Sequence, residues 1–187
     1  MNRSMSPYFA FFIAIVFASC IKQNSGQLTL NRKVGNNLLL DGSFEDSELG
    51  QMKAPWICRP TTAPEAFAIK EGNAAESQKY LSYQAQSGDW WGISQKVQLI
   101  PGKKYTASFL IRGDSTEIHT GAFNSGKFLG WNNSTVPDKD WQLVSFDFYT
   151  DTTEAKTTIY IAGKNNTKDF QVDLDDLQVV QELPELN

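Results

Sequence analysis

Apolar residues recur at every second position over several separate stretches of this chain. Tyr105, Ala107, Phe109 and Ile111 alternate with Thr106, Ser108, Leu110 and Arg112. Val144, Phe146 and Phe148 alternate with Ser145, Asp147 and Tyr149, and Ile159 and Ile161 with Thr158, Tyr160 and Ala162. A period of two sends successive side chains to opposite faces, so each stretch reads as a strand with one buried and one wet face. Further strands are predicted over 37–40, 79–85, 91–99, 116–123 and 171–180. Turn signals separate them: Pro101-Gly102, Arg112-Gly113-Asp114, Asn124-Ser125-Gly126, Pro137-Asp138 and the run from Gly163 to Asn166. Short strands punctuated in this way predict an all-β domain, an antiparallel β-sandwich or jelly roll of about eight to ten strands. Trp91, Tyr105, Phe109, Phe146, Ile159 and Leu174 are the expected core. No long helix and no internal repeat stand out.

The stretch Gly88–Leu99 (GDWWGISQKVQL) adds a constraint. Two neighbouring tryptophans on one strand face opposite ways and cannot share a core. Trp91 has the parity of Ile93, Val97 and Leu99, an apolar set that Gln95 interrupts. Trp90 has the parity of Gly92, Ser94, Lys96 and Gln98, a wet face. Trp91 is therefore assigned to the core, and Trp90 to the surface. An aromatic ring on a polar face is an amphipathic platform whose π face can stack on the C–H face of a sugar ring. Cover over a neighbouring loop is the other reading of Trp90. Trp131, in the Gly/Asn-rich stretch Gly126 to Thr135 read as a loop, is a second stacking candidate. Tyr80, Gln84 and Arg112 fall on polar strand faces and are expected to complete a cleft.

The N-terminus bears on compartment. Arg3 precedes the apolar run Tyr8–Ala18, which is shorter than the roughly 20 residues a membrane-spanning helix needs. It reads as the h-region of a secretory signal over residues 1–19. The run ends in Phe17-Ala18-Ser19-Cys20, similar to the lipobox of bacterial lipoproteins, with Phe17 in place of the usual leucine. Cys20 is the expected lipidation site, and an ordinary cleaved signal ending near a cysteine is the other reading. Lipidation would leave Cys58 as the one remaining thiol, so no internal disulfide is expected and stability must come from a core. Residues 20–34 read as a tether, 35–181 as one β-sandwich domain, and 182–187 as a tail. With 17 basic and 21 acidic residues and no Lys/Arg cluster, the chain carries no signature of nucleic-acid binding.

The order of motifs resembles a known family. Asn37-Leu-Leu-Leu-Asp-Gly-Ser-Phe-Glu45 opens the domain, followed by Trp56, Trp90-Trp91-Gly92 and Pro101-Gly-Lys-Lys-Tyr-Thr-Ala-Ser-Phe109. Trp141 then leads a strand, and Phe170-Gln-Val-Asp-Leu-Asp-Asp-Leu177 closes the domain. This looks like the jelly-roll carbohydrate-binding modules of the family 4, 9 and 22 group, carried on bacterial cellulases and xylanases, over residues 37–180. The resemblance implies a galactose-binding-like sandwich, a sugar-stacking role for Trp90 and a ligand-contacting Arg59. It makes Trp141 and Trp56 structural. It also implies a structural calcium held by Ser43, Glu45, Gly72 and Asp176, where plain solvation of a strand edge is the other reading. Ala162-Gly163 departs from xylan-binding relatives, which often have a carboxylate there.

Catalysis finds little support. The single histidine, His119, lies between Ile118 and Thr120 and reads as a solvent-facing strand residue. A glycosidase needs two carboxylates across a cleft, whereas Asp41, Glu45, Asp46, Glu48, Asp173, Asp175 and Asp176 gather at the ends of the domain. The expectation is a non-catalytic polysaccharide- or oligosaccharide-binding lipoprotein, displayed on a bacterial outer membrane or cell surface or held at the periplasmic face. A structural or protein-interaction sandwich without a sugar site is the alternative from a different class. A divergent hydrolase ranks third.

Overall fold

The alternating segments do form strands. The computed structural model describes residues 35–182 apart from 88–89, 115, 136–138 and 164–167, and for 134–135 the backbone alone. The expected signal, the tether with Cys20 and residues 183–187 lie outside the described residues. In chain order the strands are β1 Gly50–Gln51, β2 Ile57–Arg59, β3 Phe67–Glu71, β4 Lys79–Ala85, β5 Trp91–Gln98 and β6 Lys104–Gly113. They continue with β7 Glu117–Asn124, β8 Lys127–Thr135, β9 Gln142–Tyr149, β10 Lys156–Gly163 and β11 Phe170–Gln181. Two antiparallel sheets result, ordered β1-β3-β4-β11-β6-β9 and β2-β5-β10-β7-β8. The only helical element among the described residues is a 3-10 turn, Pro64–Ala66.

The inward-facing sets of both sheets close on one core. Phe67 of β3 stacks on Tyr83 of β4 at 5.1 Å and on Trp91 of β5 at 6.1 Å between ring centroids, so one aromatic column crosses from sheet to sheet. Tyr105 and Phe148 stack at 5.7 Å on the same side of the six-stranded sheet. Trp91, Tyr105, Phe109, Phe146, Ile159 and Leu174 are all buried, as is Trp56. Gln95 has the parity of the apolar set and is buried because its amide has a partner on both sides. Its Oε1 accepts from Leu40 N at 2.8 Å and its Nε2 donates to Leu40 O at 2.9 Å, tying the opening turn to β5.

Three sequence expectations need correction. Residues 37–40 are not a strand. The Asn37 side chain takes over the pairing, accepting from Leu39 N at 3.1 Å and Val179 N at 3.0 Å and donating to Leu177 O at 2.8 Å. An asparagine that bonds local backbone in this way competes with ladder formation. The stretch around Trp131 is strand β8 of the five-stranded sheet, entered through the Asn124–Lys127 hairpin. Trp141 is only half-buried and lies outside the core, on the outer face of the six-stranded sheet. The strand count rises above the expected range through the very short β1 and β2 and through β3 and β8, which turn residues and prolines conceal in the sequence.

One irregularity shapes the closing strand. Between Asp175 and Gln178 the register of β11 against β6 slips, and Asp176 adopts a left-handed backbone with φ of +48°. The bulge flips parity, so that Leu174 before it and Leu177 after it both face the core. Truncation of the cross-sheet aromatic column is the sharpest test of this core. Trp91→Ala should cost about 3–5 kcal/mol of stability in a denaturant or thermal melt.

Candidate functional site: an aromatic groove on the five-stranded sheet

Residues paired across a sheet share a face, so the register lays out the outer surface of the five-stranded sheet row by row. One row runs Arg59, Gly92, Ala162, His119, Asn133. The next, two residues along, runs Ile57, Ser94, Tyr160, Gly121, Trp131. A third runs Lys96, Thr158, Phe123, Phe128. Small residues thus form the floor, and aromatic residues rise along one edge. Arg59 and Phe128 lie four strand spacings and four residues apart, about 19 Å across the sheet and about 13 Å along it.

A groove of about 940 Å³ follows this diagonal. At one end it is bordered by Trp90 and by Arg59, Pro60, Thr61 and Thr62 of the segment following β2; at the other it is bordered by Phe123 and Phe128. Gly92, Ser94, Thr158, Tyr160 and Ala162 line it between. Trp90 is 43% exposed and meets the His119 ring edge-on at 5.6 Å; His119 Nε2 in turn contacts Glu117 Oε1 at 3.0 Å. The histidine is thus a brace beside Trp90 on the outer face, as its strand position suggests.

At the far end Phe128, 55% exposed, is the centre of three ring contacts. Phe123 lies 5.5 Å away, and Trp131 and Tyr160 each 6.3 Å, all edge-to-face. Trp131 is itself 64% exposed. The Tyr160 ring lies over Gly121, where a Cβ would come within 2.7 Å of the phenol oxygen. Glycine is thus the residue that lets this tyrosine lie across the sheet. Partial burial pushes the Tyr160 hydroxyl above its ordinary range, so it stays protonated and able to donate. Among the described residues the groove lining contains no carboxylate, and its one charge is Arg59.

The other expected contact residues lie elsewhere. Tyr80, Gln84 and Arg112 belong to β4 and β6 of the six-stranded sheet, on its outer face, and cannot share a cleft with Trp90. Arg112 packs against two rings, 5.2 Å from the Tyr80 centroid and 4.4 Å from that of Trp141, with its Nε 3.0 Å from Asp173 Oδ2. Trp141 Nε1 donates to Asn73 O at 3.1 Å. Two rings and a carboxylate already occupy the guanidinium, which makes this a clamp between strands. Gln84 is exposed beside a separate depression of about 590 Å³ that Asp114 and Asp169 also line. Parity puts each of these residues on an outer face, as it should; it does not tell which sheet each strand joins. Phe123, Phe128 and Tyr160 line the groove without having been singled out in the sequence, although Phe123 and Tyr160 lie on the wet parity of their strands, as Trp90 does.

The suspected cation site has its own geometry. The Ser77 hydroxyl, which has one proton, faces Lys79 O at 2.8 Å, Asp175 Oδ1 at 3.1 Å and Ser43 O at 3.4 Å. Nearby, the Glu45 carboxylate accepts from Gln78 N at 2.9 Å and Lys79 N at 2.7 Å, and its pKa is lowered mainly by the backbone N–H of Lys79. Asp175 is fully buried, and burial pushes its carboxyl up against the pull of the Glu76 and Ala75 N–H groups, with the Glu45 charge adding to the rise. Oxygens therefore outnumber protons here, and two of the groups are carboxylates. Of the four residues expected to hold calcium, Ser43 and Glu45 are at this cluster. Gly72 donates its N–H to Gln78 O, and Asp176 accepts from Gln178 Nε2 at 2.8 Å; the bulge turns Asp175, not Asp176, into the cluster. Among the described residues no three His, Cys, Asp or Glu side chains gather at a metal-binding distance, so a cation here would depend on carbonyl oxygens as well.

The sequence profile of a family described as "Carbohydrate binding domain" matches residues 36–168, most of the chain. The chain belongs to this family. No curated protein matches it by sequence. Among solved structures it is similar to TmCBM61 in complex with β-1,4-galactotriose, at 16% identity, TM-score 0.62, over 79% of this chain and 100% of that one. It is similar to the CBM22-1 xylan-binding domain from Paenibacillus barcinonensis Xyn10C, at 16% identity, TM-score 0.58, over 80% and 97%. A cyclase from Fischerella sp. TAU, in complex with 4-(1H-indol-3-yl)butan-2-one, shares the fold as well, at 15% identity, TM-score 0.63, over 81% and 100%. At such identities the structural likeness speaks for the jelly-roll sandwich, and the family match speaks for carbohydrate binding without catalysis.

Proposed function

We propose that this carbohydrate-binding domain takes an oligosaccharide or polysaccharide in the groove across its five-stranded sheet, with Trp90 and Trp131 as stacking platforms and Arg59 as a hydrogen-bond donor. The observation that carries the reading is the diagonal of exposed aromatic rings over a floor of small residues. Protein surfaces rarely expose large apolar side chains in a row unless something covers them. Rings flanking a shallow floor suit a chain of sugars, which offers C–H faces to stack and hydroxyls to bond. The groove's length, set by the strand spacing, suits several sugar units better than one.

The reading is of binding without turnover. The groove lining offers no carboxylate for proton transfer among the described residues, and His119 is engaged with Glu117. The alternative, a structural or protein-interaction sandwich, would use the same rings for a protein partner.

Two further assignments complete the proposal. Calcium would be held by the carboxylates of Glu45 and Asp175 and the carbonyls of Ser43 and Lys79, a mixed oxygen set of the kind the ion prefers. Bound there, it would relieve the mutual repulsion of two carboxylates and join the opening turn to the bulge of β11. A lipid on Cys20 would hold the chain to a bacterial membrane surface, through the tether of residues 20–34. Among the described residues no helix is long and apolar enough to cross a membrane.

Each assignment has its measurement. Calorimetric titration with β-1,4-linked gluco-, xylo- and galacto-oligosaccharides should show binding that Trp90→Ala weakens by about 2 kcal/mol, roughly thirtyfold, with the melting temperature nearly unchanged. Retention of full affinity by both Trp90→Ala and Trp131→Ala would remove the groove as the sugar site. Calcium added to chelator-stripped protein should raise the melting temperature by several degrees, since at about a hundredfold excess over Kd the gain is about 2.7 kcal/mol. Asp175→Asn and Glu45→Gln should each abolish that shift. Cys20→Ala should move the full-length protein from the membrane fraction to the soluble one, because stable anchoring takes more than one acyl chain and none would be attached.

A further inference from the structure

Resting on the carbohydrate-binding reading, we propose that the groove is built for a glycan bearing an aromatic substituent, whose ring seats against Phe128. The two ends of the groove differ in chemistry. Near Trp90 the polar groups are plentiful: the Arg59 guanidinium, the Thr61 and Thr62 hydroxyls and Ser94 on the floor. Near Phe128 they are fewer, the hydroxyls of Thr158 and Tyr160. Phe123 and Phe128 have no polar side-chain atom, and Trp131 has only an indole N–H.

A bare sugar laid along the whole groove could stack a C–H face on the phenylalanines but would find few hydrogen-bond partners beside them. A ligand matched to this surface is therefore amphipathic, with sugar at the Arg59 end and an apolar group at the Phe128 end. The geometry selects the kind of apolar group. Phe128 meets three rings at 5.5 to 6.3 Å and interplanar angles of 62° to 74°, so its plane is steeply inclined to each of theirs and the four rings form an open cluster. A flat ring fits such a box, because it can lie on one face while meeting the others at their edges. The Tyr160 hydroxyl, at the junction of the two ends, is placed to donate to the oxygen that links sugar and aryl group. Such a link is an aryl glycosidic bond at a reducing end or an aromatic ester on a sugar hydroxyl.

Matched pairs of ligands separate this inference from the reading beneath it. One pair is xylotetraose and its 4-nitrophenyl β-glycoside; the other is a feruloylated arabinoxylan oligosaccharide and the same oligosaccharide after saponification. The aryl member of at least one pair should bind about three- to tenfold tighter, and the pair that shows it tells a terminal aryl group from a side-chain ester. Phe128→Ser should bring the two members of that pair to equal affinity, through a larger loss for the aryl member than for the free oligosaccharide. Trp90→Ala should weaken both members together. Equal affinity within both pairs overturns the aromatic-substituent proposal and leaves the sugar groove standing. A Phe128→Ser loss that is equal for both members overturns it too. Binding of no member of either pair overturns the proposal and leaves the sugar groove to the gluco- and galacto-oligosaccharide titrations. Sedimentation over a range of concentrations checks the remaining occupant: self-association that Phe128→Ser abolishes would overturn the proposal by assigning the aromatic box to a second copy of this chain.

Discussion

The strict two-residue period of β5 is the constraint on which the rest depends. Trp91 must face the core, because its ring completes the column with Phe67 and Tyr83 that joins the two sheets. Once that is fixed, the neighbouring backbone has no freedom left. Trp90 is turned to the outer face, as are Gly92 and Ser94, and the pairing of β5 with β10 and β2 carries the same parity across the sheet. A slip of one residue would exchange every buried side chain for a wet one, which the apolar core forbids. Packing on one face thus dictates which side chains the groove on the other presents.

The ends of the domain are closed by polar groups. Asn37 binds the backbone of β11, Gln95 binds both backbone groups of Leu40, and Asp175 collects the N–H groups of the Ala75–Glu76 segment. Each of these bonds spans a long sequence separation. They are worth more by being satisfied than by their net strength, since a buried group left unpaired costs about 1–3 kcal/mol. Asp175 carries the greatest tension, because its side chain is fully buried and the Glu45 charge adds to the cost of ionising it.

The two outer faces show how the same residue types serve different ends. On the six-stranded sheet Arg112, Tyr80 and Trp141 cover one another, and Asp173 balances the charge. On the five-stranded sheet Trp90, Phe128 and Trp131 are 43%, 55% and 64% exposed. Aromatic and basic residues on a wet strand face therefore do not by themselves signal a binding site. What distinguishes the groove is that its rings meet edge-on and keep much of their surface open, over glycine and serine.

By itself the sequence determined the all-β class, most of the strands, the core set and the opposite fates of Trp90 and Trp91. Each of these follows from local alternation, which the chain imposes over neighbouring residues. It also singled out Arg59, which lines the groove, and Trp131, which lies beside Phe128 on the same face. Only the tertiary structure decided which sheet each strand joins, and so removed Tyr80, Gln84 and Arg112 from the groove and brought in Phe123, Phe128 and Tyr160. It likewise turned residues 37–40 from strand to turn, through an asparagine whose partners lie some 140 positions away, and put Asp175 at the Ser77 cluster through the bulge in β11. Strand partners are chosen by the packing of whole sheets over long sequence separations, and no period within one strand records that choice.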